Sequence, residues 1–325
     1  MTDCFVGIDT SNYTTSAAVC TAEGQILANL KMPLPVREGE CGLRQSDAVF
    51  AHTKNLPAIM QKLAEPLHDA RILAVGCSAR PRPAADSYMP CFLTGVAAAQ
   101  SLATGAGVPL FSFSHQEGHL MAAAFSSGAP ESLLQAPFAA FHVSGGTTDV
   151  LLAKPDGSGF SVERIAGTED LNAGQAIDRA GVMMGLPFPC GAAMERLAEA
   201  YQGKISSPRI CVRDGNCHLS GLQNQTEKLW RETADPGAVS AYVFAFLGKT
   251  LAAMTAALDA DRGELPVVYA GGVMSNRSLQ KYLGTRKNTW FAEPMFSADN
   301  AAGIALLCRR KYLEQSNYST GAAGQ

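Results

Sequence analysis

Val6-Gly7-Ile8-Asp9-Thr10-Ser11 leads through Asn12 and Tyr13 into Thr14-Thr15-Ser16-Ala17-Ala18-Val19. Phe141-His142-Val143-Ser144-Gly145-Gly146 leads through Thr147 and Thr148 into Asp149-Val150-Leu151-Leu152. Each stretch is an apolar, β-rich run, a tight turn of small hydroxyl and glycine residues, and a second apolar run, which is the pattern of a β-hairpin. A turn of that composition leaves backbone N–H groups and hydroxyls directed at one spot, an arrangement suited to phosphate. Either hairpin alone is ordinary turn chemistry. Two of them at matching places in one chain point to a duplicated α/β architecture, two lobes facing each other across a nucleotide.

The flanking sequence repeats as well. Strands are expected near 4–10, 14–21 and 25–33, then a helix from Ser46 to about Leu67 interrupted at Pro57, a buried strand Ile72–Cys77, a helix over Phe92–Thr104 and a strand near Val108–Phe113. The second half is expected to carry strands at 138–153 and 159–165, helices near 172–185, 191–202, 220–233 and 238–260, and a strand at Pro266–Ala270. A helix after Asn276, a strand near Thr289–Ala292, a helix from Ala298 to Leu313 and a frayed tail from Gln315 close the chain. Between the halves of the first lobe, Pro81, Pro83 and Pro90 hold the segment Ser78–Pro90 extended, at a strand end where α/β folds carry function. The lobes are expected at residues 1–112 with about 298–325, and at 113–297.

With 325 residues, 47% apolar and 17% charged, the chain is long enough for two cores and too apolar to be disordered. Ala241–Leu258 is its longest apolar stretch, is broken by Lys249 and Thr250, and is expected to fall short of a membrane span. The N-terminus enters a strand without a basic leader, so a cytoplasmic chain with no membrane partner is expected. Nine scattered cysteines contain no Cys-x-x-Cys and are expected as reduced thiols rather than a zinc ribbon or redox motif. A net charge of −3 argues against general nucleic-acid affinity and leaves Arg286-Lys287 and Arg309-Arg310-Lys311 as sources of a local basic patch or as solvated surface charge.

His115-Gln116-Glu117-Gly118-His119 is the sharpest local motif. On a helix, residues i and i+4 share a face, so both imidazoles can reach one metal ion; two surface or capping histidines fit the spacing equally. A zincin needs Glu directly after the first His, and Gln116 stands there, so the motif argues against a metallopeptidase and Glu117 points elsewhere. A distant carboxylate would complete a facial triad, and Asp299 is a candidate, with helix capping as its other role. Gly271-Gly272-Val273-Met274-Ser275-Asn276 follows a strand and opens a helix. Its glycines admit a ligand close to the backbone, and Asn276 can hydrogen-bond a ribose or phosphate, unless the segment is a plain turn. Asp170 and Asp178 share a helical face if the helix begins early, and Asp178 can accept from ribose hydroxyls or stand idle on the surface.

Taken in order, the Gly7–Thr15 hairpin, His-x-Glu-Gly-His, Val143-Ser144-Gly145-Gly146, the Gly174–Arg179 helix, Ser220-Gly221-Leu222, Gly272-Val273 with Asn276, and Asp299-Asn300-Ala301-Ala302 resemble the TsaD family of tRNA threonylcarbamoyltransferases, once described as O-sialoglycoprotein endopeptidases. The similarity runs over roughly residues 4 to 310. It implies the ASKHA (actin/Hsp70/sugar kinase-like) fold, two lobes with a nucleotide cleft between them. It implies an iron or zinc ion on His115, His119 and Asp299, and a carbamoyl-adenylate or other adenine nucleotide, with magnesium as a further ion. That ligand would be held by Val143, Ser144, Gly145, Gly146 and Thr147 and by Asp178, Gly191, Gly272 and Asn276. Catalytic positions fall on Asp9, Thr10 and Ser11 of the first hairpin. The implied partners are tRNA, a small ASKHA subunit and an ATPase.

The chain departs from the family pattern at several points. Asn12-Tyr13-Thr14 replace an acidic pair, Thr147 a histidine, Gln223 a lysine, and Cys190 a glycine, and the Arg80–Pro90 segment replaces an arginine-and-glycine loop. These changes leave the acceptor open between tRNA adenosine and another nucleophile. An ASKHA ATPase or kinase would need an acid near the second hairpin, where Asp149 stands, and has no use for the histidine pair. A non-catalytic nucleotide-binding subunit would not need His115, His119 and Asp299 together.

Overall fold

The computed structural model describes residues 1–11, 13–35, 43–84 and 86–322; Asn12 in the first turn and Cys41 lie outside the described residues. Backbone contacts divide the chain into a unit of Met1–Ser126, Lys154–Val162 and Met295–Gln325 and a unit of Ser127–Ala153 and Glu163–Pro294. The expected boundary at residue 112 therefore moves to the end of the helix that carries the histidines, because that helix packs on the C-terminal helix of the first unit.

In the first unit, strands β1 (Thr2–Ser11), β2 (Thr14–Thr21), β3 (Ile26–Pro33), β4 (Ala70–Arg80) and β5 (Leu110–Ser114) form one sheet in the order β3-β2-β1-β4-β5. β1 and β2 are the expected hairpin, β3 continues the meander antiparallel, and β4 and β5 add parallel to β1. The helices α1 (Gln45–Leu67) and α2 (Phe92–Ala106) cover one face, where Val6, Ile8, Ala17 and Val19 meet Ile59, Leu63 and Ala99. α1 runs through Pro57 instead of stopping there. Its buried Leu56, Ile59 and Leu63 hold the turns on both sides against the sheet, which offsets the lost hydrogen bond. The other face receives α3 (His115–Ser126) and α10 (Ala302–Ala322).

The second unit repeats the plan. β6 (Phe138–Val143), β7 (Thr148–Asp156) and β8 (Gly159–Gly167) form the meander, and β11 (Val267–Ala270) and β12 (Thr289–Phe291) add parallel, in the order β12-β11-β6-β7-β8. Helices α4 (Ala173–Met183), α5 (Gly191–Ala200), α6 (Gly221–Thr233), α7 (Pro236–Arg262) and α8 (Arg277–Leu283) surround it, and a small ribbon of β9 (Cys211–Arg213) and β10 (Asn216–His218), absent from the sequence reading, lies beyond α5. α4 starts only at Ala173, capped by Asn172, so Asp170 and Asp178 do not share a helix.

α7 is longer than expected and, at 27 residues, is long and apolar enough to cross a membrane by length and composition. Its Val243, Phe246, Leu247 and Leu251 instead lie in the core of this unit, where each large apolar side chain contributes about 1.5–3 kcal/mol by leaving water. A short turn, α9 (Pro294–Ser297), leads into α10, which starts later than expected because Asn300 closes the intervening loop, and which ends later, at Ala322, where a frayed tail was expected. The described cysteines are all free thiols, as expected.

Candidate metal centre and nucleotide loop

α3 begins at the end of β5 with a reciprocal cap. Glu117 Oε2 accepts from Ser114 N at 2.8 Å and Ser114 Oγ at 2.7 Å, while Glu117 N donates to Ser114 Oγ at 3.2 Å. Glu117 Oε1 accepts from Phe160 N at 3.3 Å, so this carboxylate faces away from the imidazoles. The helical spacing puts His115 and His119 on one face, with their Nε2 atoms 3.0 Å apart. Asp299 Oδ1 stands 3.3 Å from His119 Nε2 and 3.6 Å from His115 Nε2. It does not cap α10; Asn300 Oδ1 does so, accepting from Ala302 N at 3.1 Å.

Ligands held at about 2.0–2.2 Å by a first-row ion, at tetrahedral to octahedral angles, stand about 2.9–3.5 Å from one another. Edges of 3.0 and 3.3 Å fall in that range and the third, 3.6 Å, lies just beyond it, and two imidazoles with one carboxylate suit iron or zinc. Behind it, Asp9 is fully buried and its Oδ1 lies 2.9 Å from His115 Nδ1 while also accepting from Ser78 Oγ. That bond favours a proton on Nδ1, so that Nε2 is the nitrogen His115 would offer to an ion. Ser78 was not foreseen, since only the pairing of β4 with β1 brings it there.

The charges are tightly coupled. Burial alone would lower the His115 pKa, but the Asp9 and Asp299 carboxylates outweigh it and raise it to about 10. Burial would raise Asp299, and the two imidazoles instead pull it far below the usual carboxylate range. Asp9 is likewise lowered, burial being overcome by His115 and Ser78.

The three positions expected as catalytic separate along β1. Asp9 faces His115. Strand alternation turns Thr10 to the opposite face, where its hydroxyl donates to Cys91 O at 3.0 Å and accepts from Gly95 N at 3.0 Å, a packing role against α2. Ser11 is buried and its hydroxyl has no partner among the described residues.

In the second unit the turn Val143, Ser144, Gly145, Gly146 and Thr147 leaves the carboxyl end of β6. Ser144 N donates to Thr147 O at 2.7 Å, and Ser144 Oγ accepts from Gly146 N at 3.3 Å and Thr147 N at 3.1 Å. Gly174 N, at the start of α4, donates to Ser144 O at 3.0 Å. β11 runs parallel to β6 and ends beside this turn at Gly271, whose φ of +101° and contact with the Val143 carbonyl exclude any side chain. Gly272 opens the following turn, and Asn276 ends it. Asn276 Oδ1 caps α8, accepting from Leu279 N at 3.0 Å, while its buried Nδ2 has no partner among the described residues. Asp178 Oδ1 accepts from Cys190 N at 2.8 Å and thereby positions Gly191 at the start of α5. Loops at the carboxyl ends of adjacent parallel strands are where open α/β sheets commonly take ligands, and here one such loop carries an unmatched buried donor.

A match to TsaD, tRNA N6-adenosine threonylcarbamoyltransferase, spans residues 48–306. The chain belongs to the TsaD family. The tRNA N6-adenosine threonylcarbamoyltransferase of Brucella suis is 30% identical over 92% of this chain and 88% of the relative, and that of Brucella ovis is 29% identical over the same shares. Two solved structures show the fold. The (R)-2-hydroxyglutaryl-CoA dehydratase component A of Acidaminococcus fermentans superposes with a TM-score of 0.52 at 14% identity, over 95% of this chain and 99% of that one. HypF of T. kodakarensis superposes with a TM-score of 0.56 at 15% identity, over 97% of this chain and 48% of that one. With its two sheets of identical strand order, the chain has the ASKHA fold expected from the paired hairpins.

The positions read in the sequence as departures from the family pattern have identifiable surroundings. Tyr13 is 43% exposed, Thr147 closes the β6 turn, and Gln223 accepts from Arg179 at 3.4 Å and donates to Glu227 at 2.9 Å. Cys190 fills the space that Gly181 leaves open on α4. Three residues of the two basic clusters are engaged by neighbours. Arg286 is held by Asp259 at 2.6 Å, Arg309 donates to Ala22 O at 2.5 Å, and Lys311 lies 5.3 Å from the centre of the Phe111 ring.

Proposed function

We propose that this chain transfers a threonylcarbamoyl group from an adenylate to N6 of a tRNA adenosine. The observation that carries the reading is the triangle of His115 Nε2, His119 Nε2 and Asp299 Oδ1, backed by the buried Asp9, in a member of the TsaD family. An iron or zinc ion held there would polarise the carbamoyl carbonyl and stabilise charge on its oxygen.

The residues divide the remaining work. Asp9 orients His115 and keeps its Nδ1 proton in place, while Glu117 and Asn300 fix the turns that present the three ligands. In the second unit, the Ser144–Thr147 turn, whose Gly145 N–H is left out of its internal bonds, receives the adenylate phosphate, and Asn276 Nδ2 and Asp178 receive the nucleoside. The N6 amine bonds to the carbamoyl carbon, the bond from that carbon to the phosphate oxygen breaks, AMP leaves, and N6 loses a proton. Magnesium on the nucleotide, a small ASKHA partner subunit and an ATPase belong to the same reading. The kinase alternative is disfavoured by Asp149, whose carboxylate is engaged by Arg164 at 2.6 Å.

The test supplies metal-loaded protein with threonine, bicarbonate, ATP, a threonylcarbamoyl-AMP synthase, unmodified tRNA and the partner proteins, and analyses digested nucleosides by mass spectrometry. Threonylcarbamoyladenosine above a no-enzyme control is the expected product. Its absence with metal and nucleotide bound would overturn tRNA as the acceptor, and turn attention to the changes at Tyr13, Thr147 and Gln223.

A further inference from the structure

The register of the first sheet places an unassigned lysine in line with the metal ligands. Asp9 pairs with Ser16 across β1 and β2, and Ser16 pairs with Lys31 across β2 and β3. Directly opposed residues on neighbouring strands project from the same face, about 5 Å apart, so Asp9, Ser16 and Lys31 form one polar row. That face carries α3 and α10: Asp9 reaches His115 on it, and Gly7, on the same side of β1, packs against Ala301 and Ala305. At the far end of the row, Lys31 Nζ donates to Met295 O at 2.5 Å, in the turn leading to Asp299.

The ammonium is half-buried, and no carboxylate among the described residues pairs with it. Burial pushes its pKa down, and the Asp299 charge pulls the other way. One N–H holds Met295, and the other two have no partner among the described residues. A divalent ion with neutral imidazoles is balanced by Asp9 and Asp299, which leaves Lys31 as one positive charge in excess. A half-buried cation with no carboxylate in contact is costly unless an anion meets it.

We infer that Lys31 receives an anionic group of the substrate, a carboxylate or a phosphate, beside the metal ligands. The inference rests on the proposed adenylate chemistry for its substrate, since an acyl-adenylate of an amino acid carries both groups. Lys31 is thereby a specificity residue of this chain, selecting acyl groups or leaving groups that bring negative charge to that end of the row.

The test titrates the metal-loaded full chain with inorganic phosphate and with N-carbamoyl-threonine, and compares Lys31→Met and Lys31→Arg by calorimetry and metal analysis. Lys31→Met is expected to weaken one probe about tenfold with metal content unchanged, and Lys31→Arg to retain most of the affinity. A loss confined to phosphate assigns Lys31 to the leaving group, and one confined to N-carbamoyl-threonine assigns it to the acyl carboxylate. Unchanged affinity for both probes, or no binding of either by the unaltered chain, overturns the inference. So does metal loss in Lys31→Met, because Lys31 would then only anchor the turn before Asp299. These readouts need no acceptor, so a chain that fails to modify tRNA yet shows Lys31-dependent anion binding refutes the proposed transfer alone.

Discussion

Gly303 of α10 lies so close to the carbonyl of Gly118 in α3 that a Cβ on Gly303 would collide with the backbone of α3. The contact fixes the separation between the element carrying His115 and His119 and the element following Asp299. Gly303→Ala is therefore expected to force α3 and α10 apart, lowering stability by about 1–3 kcal/mol and reducing bound metal per chain. Gly105 of α2 has open space around it, and Gly105→Ala is expected to be neutral or stabilising by up to about 1 kcal/mol with metal content intact. Thermal unfolding with metal analysis separates the two. Full metal occupancy in Gly303→Ala would mean that the crossing does not set the triangle.

Metal binding should be strongly pH-dependent through His115. Its pKa of about 10 in the metal-free site means that the imidazole is charged across the neutral range. Coordination through Nε2 must expel that proton, so affinity for zinc should rise by about tenfold per pH unit between pH 7 and 9, with one proton released per ion. The metal-free protein shows the opposite trend. A raised folded-state pKa gives stability that is complete below the ordinary value of 6.5 and is lost as pH rises through about 10. Calorimetry in buffers of differing ionisation enthalpy measures the proton directly. Affinity independent of pH would place coordination elsewhere.

Asp9 would act on a bound ion through His115. Asp9→Asn keeps an acceptor near Nδ1 and removes the charge, so metal affinity is expected to fall by about 10–100-fold and the His115 pKa to drop. Ser78→Ala removes one of two hydrogen bonds to the same carboxylate oxygen and should cost less. Competition against a chromogenic chelator gives both values. His115→Ala with His119→Ala should abolish binding, and metal retained at full occupancy in that double variant would refute the site.

The parts of this architecture that were readable in the sequence are those written locally. Alternating apolar runs around small-residue turns gave both hairpins, and helical spacing put His115 and His119 on one face. Asp299 was reachable only as a distant candidate until the family resemblance ordered it. Ser78 and Lys31 were not readable, because both reach the centre through strand register, which links residues far apart in the chain. The family resemblance implies a catalytic position for Thr10 beside Asp9, although neighbours on a strand face opposite ways. Pro57 signalled a break, but α1 is held by its packing on the sheet. The contact units differ from the expected boundary at 112 for a related reason: α3 follows the first sheet in sequence and packs with α10 through Gly118, so it groups with the first unit.

Asn276 carries two separable functions on one side chain. Its Oδ1 caps α8, while its buried Nδ2 has no partner among the described residues. Asn276→Ser retains a capping oxygen and removes the amide donor, so unfolding should be little changed while AMP affinity falls by about 1–3 kcal/mol. Asn276→Ala removes both and should also lower stability by about 1 kcal/mol. Titration with AMP alongside thermal unfolding distinguishes the two losses. If Asn276→Ser binds AMP as well as the unaltered chain does, the donor is not used by the nucleotide, and the adenosine must be held by other groups of the second unit.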